Sequence, residues 1–269
     1  MSGWLEVCRH CVDDIRSLLE QLPTRMEREP VLRMGEGGDE TTAIDEAAEE
    51  AVVARLREVG DDFLLVSEEL GERPFGLGGP RRVVVDPIDG SVNAKRGIPF
   101  FAFSLAVAEG PTLDDVVFGY VCDLGTGEEW TAVRGEGAFL DGTRLEGIGP
   151  KETIELLAFE GTSTRAIAEQ IEAVVDLAGR VRVMGSLALS LCHLAAGRID
   201  AVCSLKPARS VDIAAAQLLV RERGLAIELV DDPPLGAARL DLGSRSRVAA
   251  ARTAELVASL ARALGAPGR

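Results

Sequence analysis

Two carboxylates stand three residues apart in the segment VVVDPIDGS, residues 83–91, and they are the clearest chemical signal in the chain. An apolar strand leads into Asp86, Pro87 stiffens the turn, and Asp89 follows. Such a turn at a strand end can aim both carboxylates and the Ile88 carbonyl at one point. Three oxygen ligands of this kind suit a hard divalent cation such as Mg²⁺ rather than zinc.

Gly90 and Ser91 continue this segment and open the next turn. Backbone N–H groups at such a turn can hold a phosphate oxygen, so the segment combines a candidate cation site with a candidate anion site. The alternative is a common surface feature, an Asp-Pro and Asp-Gly turn with solvated acids. The segment taken alone leaves both interpretations open.

Acidic residues also mark the ends of two other elements. The apolar run FLLVSEELG, residues 63–71, ends in Glu68 and Glu69, where a second set of ligands can meet the first. Asp212 opens the predicted helix VDIAAAQ, whose small alanines allow its N-terminus to approach another element closely. A single acid at a helix start is also a common N-cap, so the role of Asp212 stays open at this point.

Hydrophobic spacing predicts two helices in the first half of the chain, at 4–22 and 43–59, with a flexible Gly-rich and acidic loop at 33–42. Short apolar runs bounded by turn signals predict a mainly antiparallel or mixed sheet. Its strands are expected at 63–67, 81–87, 100–109, 116–123 and 128–135.

Strands and helices alternate in the second half, which predicts an α/β layer. The strands are expected at 156–161, 180–185, 200–205 and 225–230, and the helices at 164–178, 186–197, 211–224 and 251–264. We therefore expect an α+β half, residues 1–150, and an α/β half, residues 151–269, that share one cleft.

Composition excludes several classes of partner. The chain has 44 acidic and 29 basic residues and a formal charge of -15 at pH 7, which argues against nucleic acid and anionic membranes. The longest apolar run, residues 100–108, is too short to span a bilayer. Five scattered cysteines favour a reducing compartment, so a cytoplasmic protein is expected. Cys8, His10 and Cys11 have no second Cys/His pair at zinc spacing.

Three segments together carry a family resemblance: SEELG at 67–71, the strand with DPIDGS, and VDIAA at 211–215. In this order and spacing they resemble the inositol monophosphatase and fructose-1,6-bisphosphatase superfamily of Mg²⁺-dependent, Li⁺-sensitive sugar phosphatases. The GDET loop and DPIDGS-x-N-x-x-x-GIPFFAF are most similar to the archaeal-type branch, which hydrolyses both inositol 1-phosphate and fructose 1,6-bisphosphate. The resemblance covers essentially the whole chain and implies an α-β-α-β-α sandwich of five layers and a homodimer.

The resemblance also implies a metal site with two or three Mg²⁺ ions, for which Mn²⁺ would substitute. Its five ligand positions would be Glu68, Asp86, the Ile88 carbonyl, Asp89 and Asp212. Glu69 is the alternative within its pair, but the family uses the first acid.

Catalytic roles follow from the same match. Ser91 stands where the family has a Thr or Ser that activates the attacking water together with an acid matching Asp45. Asp39, Glu40 and Thr42 fall in the family's mobile loop, which helps to hold a third, weaker metal. A solvated loop is the alternative for these three residues.

Substrate contacts are less sharply indicated. They are expected at Asp89, Gly90, Ser91, Arg180, Gly185, Ser186 and Arg209, where arginines can clamp a phosphate or bridge sugar hydroxyls. Leu205 stands where animal inositol enzymes have a Glu that contacts inositol, and Val211 replaces the usual Trp. Both departures weaken a strict inositol assignment and fit the bifunctional branch better.

The sequence thus predicts a phosphoric monoester hydrolase that acts on sugar or polyol phosphates. One alternative is a phosphatase of 3'-phosphoadenosine 5'-phosphate or NADP, for which few aromatic residues are available to stack on adenine. An alternative from another class is a non-catalytic metal-binding regulatory homologue, although every matched ligand position keeps an oxygen donor.

Overall fold

The predicted helices and strands are largely present in the computed structural model, which describes residues 2–38, 40–149, 151–161 and 163–265. The helices are α1 Ser2–Gln21, α2 Arg25–Arg28, α3 Ala43–Glu58, α4 Ser91–Arg96, α5 Thr164–Gln170, α6 Leu187–Ala195, α7 Ser210–Glu222 and α8 Ala254–Ala263. None of these described helices is both long enough and apolar enough to cross a membrane.

The strands form two sheets and one hairpin. They are β1 Val31–Met34, β2 Glu40–Thr42, β3 Phe63–Ser67, β4 Gly71–Phe75, β5 Arg82–Asp89, β6 Ala102–Ala108, β7 Val116–Asp123, β8 Glu129–Val133, β9 Gly137–Leu140, β10 Thr143–Arg144, β11 Ile154–Glu160, β12 Ala178–Arg182, β13 Ala201–Ser204, β14 Ala226–Leu229 and β15 Val248–Ala251.

The larger sheet has eight strands in the order β10-β9-β8-β7-β6-β5-β3-β4. Strands β3 and β5 run parallel, and the other neighbouring pairs are antiparallel, as expected for a mixed sheet. The smaller sheet has five strands in the order β12-β11-β13-β15-β14. In this sheet β11 runs parallel to both of its neighbours, whereas β15 is antiparallel to β13 and β14.

Helices cover both sheets, and the predicted α-β-α-β-α order of layers is confirmed. Helices α1 and α3 pack on one face of the larger sheet around a core that includes Ile15, Ile44 and Phe103. Helices α6 and α7 lie between the two sheets in a second core that includes Leu189 and Leu219. Helices α5 and α8 pack with the remaining face of the smaller sheet.

Small residues bring helix α7 close to the larger sheet. Ala214, Ala215 and Ala216 are almost fully buried, and Gly119 of β7 faces them. A Cβ atom at Gly119 would lie 2.7 Å from the carbonyl oxygen of Ala215. The expectation that alanines permit a close approach of this helix is therefore correct, and this packing determines where Asp212 is held.

One helix is shorter than its sequence pattern predicts. The prediction at 164–178 is wrong in its second half, because α5 ends at Gln170, a 3₁₀ turn covers 172–174, and β12 begins at Ala178. Residues 178–182 pair with β11 in parallel register, so the strand predicted at 180–185 is present but begins two residues earlier and ends at Arg182. Pairing satisfies the backbone groups at Ala178, the last residue of the predicted helix, which outweighs its local helix propensity.

Tertiary pairing also overrides local preference at two other places. The terminal helix predicted at 251–264 begins only at Ala254, and Val248–Ala251 forms the strand β15 between β13 and β14. The loop predicted at 33–42 contributes to the hairpin of β1 and β2. Alanine does not favour a strand by itself, so in β15 the pairing partners supply the stabilisation.

Replacing Gly119 by Ala tests the close approach of α7. We expect the free energy of unfolding to fall by about 1–3 kcal/mol, because the added methyl group would overlap the Ala215 carbonyl. Urea denaturation measures this change. Gly147→Ala is the control, since a Cβ atom there meets nothing within 4 Å. An unchanged stability of Gly119→Ala would contradict the packing described.

Candidate active site

Three carboxylates converge where β3, β5 and α7 meet. Glu68 follows β3, Asp86 lies within β5, and Asp212 is in the first turn of α7. One oxygen of each carboxylate lies within 4.8 Å of an oxygen of the other two. The parallel pairing of β3 with β5, which places Ser67 opposite Val85, brings the first two acids side by side. We call Glu68, Asp86 and Asp212, with the adjoining Asp89, the carboxylate cluster.

The turn from Asp86 to Asp89 is held by hydrogen bonds within the segment. The Ile88 backbone N–H donates to Asp86 Oδ1 at 3.0 Å, and the Ser91 hydroxyl donates to the Ile88 carbonyl at 3.1 Å. Pairing of β5 with β6 is irregular between Asp86 and Asp89. This irregularity breaks the regular alternation of side chains, so both acids belong to one site.

Asp89 connects the two halves of the chain. Its Oδ2 atom accepts hydrogen bonds from the Ser186 hydroxyl at 2.5 Å and from the Ala188 backbone N–H at 2.8 Å, at the N-terminus of α6. Gly90 has φ 97°, and a Cβ atom there would lie 3.0 Å from the Gly185 carbonyl oxygen. The structure therefore brings Gly90, Gly185 and Ser186 together beside Asp89.

Burial raises the pKa values of three acids of the cluster, Glu68, Asp86 and Asp89. The pKa of Glu68 rises to about 8 through burial, an effect that the nearby Arg209 opposes and Asp212 strengthens. Burial and the charge of Glu68 raise the pKa of Asp86 well above its usual range. Burial also raises the pKa of Asp89 to about 7. Ionised carboxylates this close need compensating positive charge, which a divalent cation would supply.

Arg209 lies across the cluster. Its guanidinium donates to Glu68 Oε1, and its Nη2 atom lies 3.0 Å from Asp212 Oδ1. The Arg209 backbone N–H also donates to Asp212 Oδ2 at 2.7 Å. Asp212 is therefore not the N-cap of α7, which is Arg209, but lies at the third helical position, where its carboxylate accepts from the N-cap backbone. It also belongs to the cluster, and its role as a metal ligand stays a prediction.

Asp45 has one satisfied and one unsatisfied oxygen. Its Oδ2 atom accepts from the Thr42 backbone N–H at 3.0 Å and from the Thr42 hydroxyl at 2.6 Å. Its Oδ1 atom is buried and has no hydrogen-bond partner among the described residues. A small cavity adjoins it, lined by Asp45, Glu68, Glu69, Asp86, Pro87, Ile88 and Ser91. An acceptor without a partner beside such a cavity fits a site for water or cation-bound ligands.

The loop before β2 packs directly on the cluster. The Gly37 N–H donates to the Glu68 carbonyl at 2.8 Å, Arg245 donates to the Gly37 carbonyl, and Thr41 donates to Glu69. Asp39, predicted to take part in the site, lies outside the described residues.

Arg180 lies in a different environment from the other candidates. It is exposed on β12 and forms an ion pair with Glu155 at 3.1 Å. Its contact with a substrate stays a prediction.

Glu160, Asn93 and Glu49 were not identified from the sequence. Buried Glu160 accepts from the Gly185 N–H at 2.9 Å and from the Ser190 hydroxyl at 2.7 Å, and so holds the turn before α6. Asn93 donates to the Met184 carbonyl at 2.8 Å. Buried Glu49, whose pKa burial raises to about 7, accepts from Ser67. Glu160 ends the apolar run LLAFE, the same signal that marked Glu68.

Comparisons with known proteins agree with this architecture. A model of the Inositol monophosphatase family matches residues 7–266. A fructose-1,6-bisphosphatase/inositol-1-monophosphatase from Methanothermobacter thermautotrophicus is 33% identical over 234 residues, 82% of each chain. A relative with the same name from Archaeoglobus fulgidus is 32% identical over 251 residues, 92% of each chain. A solved inositol monophosphatase-fructose 1,6 bisphosphatase has a TM-score of 0.83 at 27% identity and covers 97% of this chain and 99% of its own.

Fold and site together define a layered α/β protein with a cluster of acids that could hold a cation at the start of the helix between its sheets. Because the family model spans nearly the whole chain and the relatives match over most of their lengths, the chain belongs to the inositol monophosphatase family.

The raised pKa values predict how the stability of the metal-free protein depends on pH. Folded carboxylates with raised pKa values bind protons that the unfolded chain has already released, so stability is lost as pH rises from about 5 to about 8. Asp86→Asn removes one of these groups. In EDTA, we expect its melting temperature to fall less over this range than that of the wild type, by at least about 3 °C.

Differential scanning fluorimetry across this pH range measures the difference. Glu49→Gln is the comparison variant: it also removes a buried carboxyl with a raised pKa and should also flatten the pH dependence in EDTA, but it leaves the cluster intact. Mg²⁺ should reduce the pH dependence of the wild type and of Glu49→Gln. A wild type that becomes more stable relative to Asp86→Asn as pH rises would contradict the account.

Proposed function

We propose that this protein is a phosphoric monoester hydrolase that uses divalent cations held by the carboxylate cluster to cleave sugar or polyol phosphates. The observation that carries the proposal is the convergence of Glu68, Asp86 and Asp212 oxygens within 4.8 Å at a buried site. Membership in the inositol monophosphatase family supports the same assignment as a sugar phosphate phosphatase.

The donor set supports Mg²⁺, with Mn²⁺ as a substitute. Glu68, Asp86, Asp89, Asp212 and the Ile88 carbonyl are oxygen donors, which hard cations prefer. When bound, two or three such cations would neutralise the phosphate charge, lower the pKa of a water and stabilise the leaving oxygen. The chain's own contribution is to hold these donors in place before the substrate arrives.

Asp45 and Ser91 are proposed to position the attacking water. Both line the small cavity beside Glu68 and Asp86, and Asp45 Oδ1 lacks a protein partner there among the described residues. Thr42 holds the other oxygen of Asp45 and so orients the carboxylate. Asp45 would accept the proton that the water releases. Thr42 and Asp39 are proposed to complete this side of the site, and Asp39 with Glu40 to assist a third cation.

Substrate groups are proposed to bind on both sides of this water. Backbone N–H groups at Gly90 and Ser91 would hold phosphate oxygens, and Gly185 and Ser186 would contact the sugar beside Asp89. Arg180 is kept as a candidate contact for a distant phosphate group. Leu205 and Val211 offer no acidic or aromatic contact specific to inositol at those positions. This supports a site that takes both fructose 1,6-bisphosphate and inositol 1-phosphate rather than one that is strict for inositol.

Five further properties are part of the proposal. The halves 1–150 and 151–269 act as two units around one cleft, since the core between the sheets contains residues from both. The protein acts in the cytoplasm, where its five free cysteines stay reduced. Li⁺ inhibits it, and it forms a homodimer, as the family resemblance implies. Nucleic acid and membranes are not expected as partners because of the charge of -15.

Asp89→Asn tests the need for the cluster in catalysis. We expect Mg²⁺-dependent release of phosphate from p-nitrophenyl phosphate to fall at least about 100-fold, because the variant loses a charged cation ligand but keeps an acceptor for Ser186 and Ala188. The melting temperature in EDTA reports whether the variant is folded. Activity of the wild type without any divalent cation, or full activity of the variant, would refute the proposal.

Asp45→Asn tests the positioning of water. The amide can still accept from Thr42, but it cannot take a proton, so kcat should fall about 100-fold with little change in KM. Asp115→Asn is the matched control, because Asp115 accepts from Thr112 in the same way at a distance from the cluster. Equal activities of the two variants would exclude Asp45 as the base.

A comparison of kcat/KM over three substrates tests the substrate class. We expect fructose 1,6-bisphosphate and inositol 1-phosphate to be hydrolysed at least about tenfold more efficiently than 3'-phosphoadenosine 5'-phosphate, because few aromatic residues are available to stack on adenine. A preference for the nucleotide would favour the alternative phosphatase. Mg²⁺ binding without turnover of any of the three would favour the non-catalytic homologue.

A further inference from the structure

Arg209 makes contacts that its predicted role in substrate binding does not explain. Its side chain is only 8% exposed, and its guanidinium contacts Glu68 from the first half of the chain and Asp212 from the second. The Nε atom of Arg209 also lies 3.3 Å from Asp212 Oδ1. A guanidinium that bridges two carboxylates in this way compensates their negative charge when no other cation is bound.

The charge on Arg209 is permanent under ordinary conditions. Although burial favours its neutral form, the carboxylates of Asp212 and Glu68 raise its pKa further above an already high value. The cluster therefore contains buried acids whose mutual repulsion is offset by the positive charge of Arg209. Removing a partner from such a buried arrangement leaves uncompensated charge, which is strongly destabilising.

The guanidinium and a bound cation would compete for the same oxygens. Glu68, Asp86 and Asp212 offer oxygens within 4.8 Å of one another, and Arg209 already donates to two of these three residues. A Cβ atom on Gly37 would lie only 2.8 Å from Arg209 Nη1, so the loop above the cluster leaves little space on that side. Two like charges on one small set of ligands repel each other.

We propose that Arg209 is the internal counter-ion of the metal-free cluster, and that the first divalent cation binds by displacing its guanidinium from Glu68 and Asp212. The inference rests on the proposed function, because it takes Glu68 and Asp212 as cation ligands. It makes Arg209 a positioning residue that stabilises the metal-free protein and lowers its affinity for Mg²⁺. The same contacts keep the two halves of the site together before the cation arrives.

Arg209→Gln tests this exchange without reference to activity. Isothermal titration with MgCl₂ alone should give a Kd about tenfold lower than that of the wild type, because the cation no longer competes with a guanidinium. In EDTA the melting temperature of the variant should fall, and saturating Mg²⁺ should raise it by more than it raises that of the wild type. Arg209→Lys keeps the charge without the planar pair of donors, so its Kd for Mg²⁺ should lie between those of the wild type and Arg209→Gln.

Arg252→Gln is the matched control. The Arg252 side chain is also buried, at 14% exposed, and pairs with Asp200 at 3.2 Å, outside the cluster. Its loss should lower the melting temperature equally with and without Mg²⁺ and should leave the Kd for Mg²⁺ unchanged. A purely structural role of Arg209 would give this pattern too, and that result would overturn the proposal.

The remaining outcomes separate the inference from the function on which it rests. If Mg²⁺ stabilises the wild type but binds Arg209→Gln equally or more weakly, Arg209 is not a competitor and only this inference fails. If Mg²⁺ neither binds nor stabilises the wild type, the metal site and the exchange both fail. If Arg209→Gln does not fold in EDTA, Arg209→Lys tests the competition instead. An affinity of Arg209→Lys for Mg²⁺ that is no higher than that of the wild type would then overturn the proposal.

Discussion

The rest of the site depends on keeping several carboxylates together in a space where their charges repel and water is scarce. At an effective dielectric constant of about 20, two unit charges about 4 Å apart repel by roughly 4 kcal/mol. Burial adds to this cost, which is why the pKa values of Glu68, Asp86 and Asp89 all rise. The fold must supply the free energy that holds these groups near one another.

Rigid elements from both halves of the chain provide that constraint. The parallel pair β3 and β5 holds two acids at the same edge of the larger sheet, and α7 delivers Asp212 through close packing on Gly119. Asp89 binds the start of α6, and Glu160 holds the turn that precedes it. Because these contacts cross between the halves, the position of each acid depends on the core between the sheets.

The repulsion between these carboxylates also explains why such a site suits phosphate chemistry. Preorganised acids that are unstable without positive charge bind divalent cations, and these reverse the sign of the field that a phosphate ester meets. The proposed mechanism therefore requires no histidine or cysteine nucleophile in the cluster. Its overall charge of -15 has a local meaning in these few acids, while most of the excess lies elsewhere.

The sequence by itself determined the local features of this protein. Helix α1, strands β3 and β7, the turn at DPIDGS and the acids at Glu68 and Asp86 follow from periodicity, turn residues and element ends, all of which are local properties. The segments SEELG, DPIDGS and VDIAA carry the resemblance to the family, and with it the prediction of all four acids of the carboxylate cluster.

Tertiary structure alone decided how distant segments meet. It placed Arg209 between Glu68 and Asp212, and it converted Val248–Ala251 into a strand although alanine favours helices. It also left one oxygen of Asp45 without a partner in the described part of the chain. Pairing, burial and charge compensation depend on residues far apart in the chain, so no local pattern of residue types could have specified them.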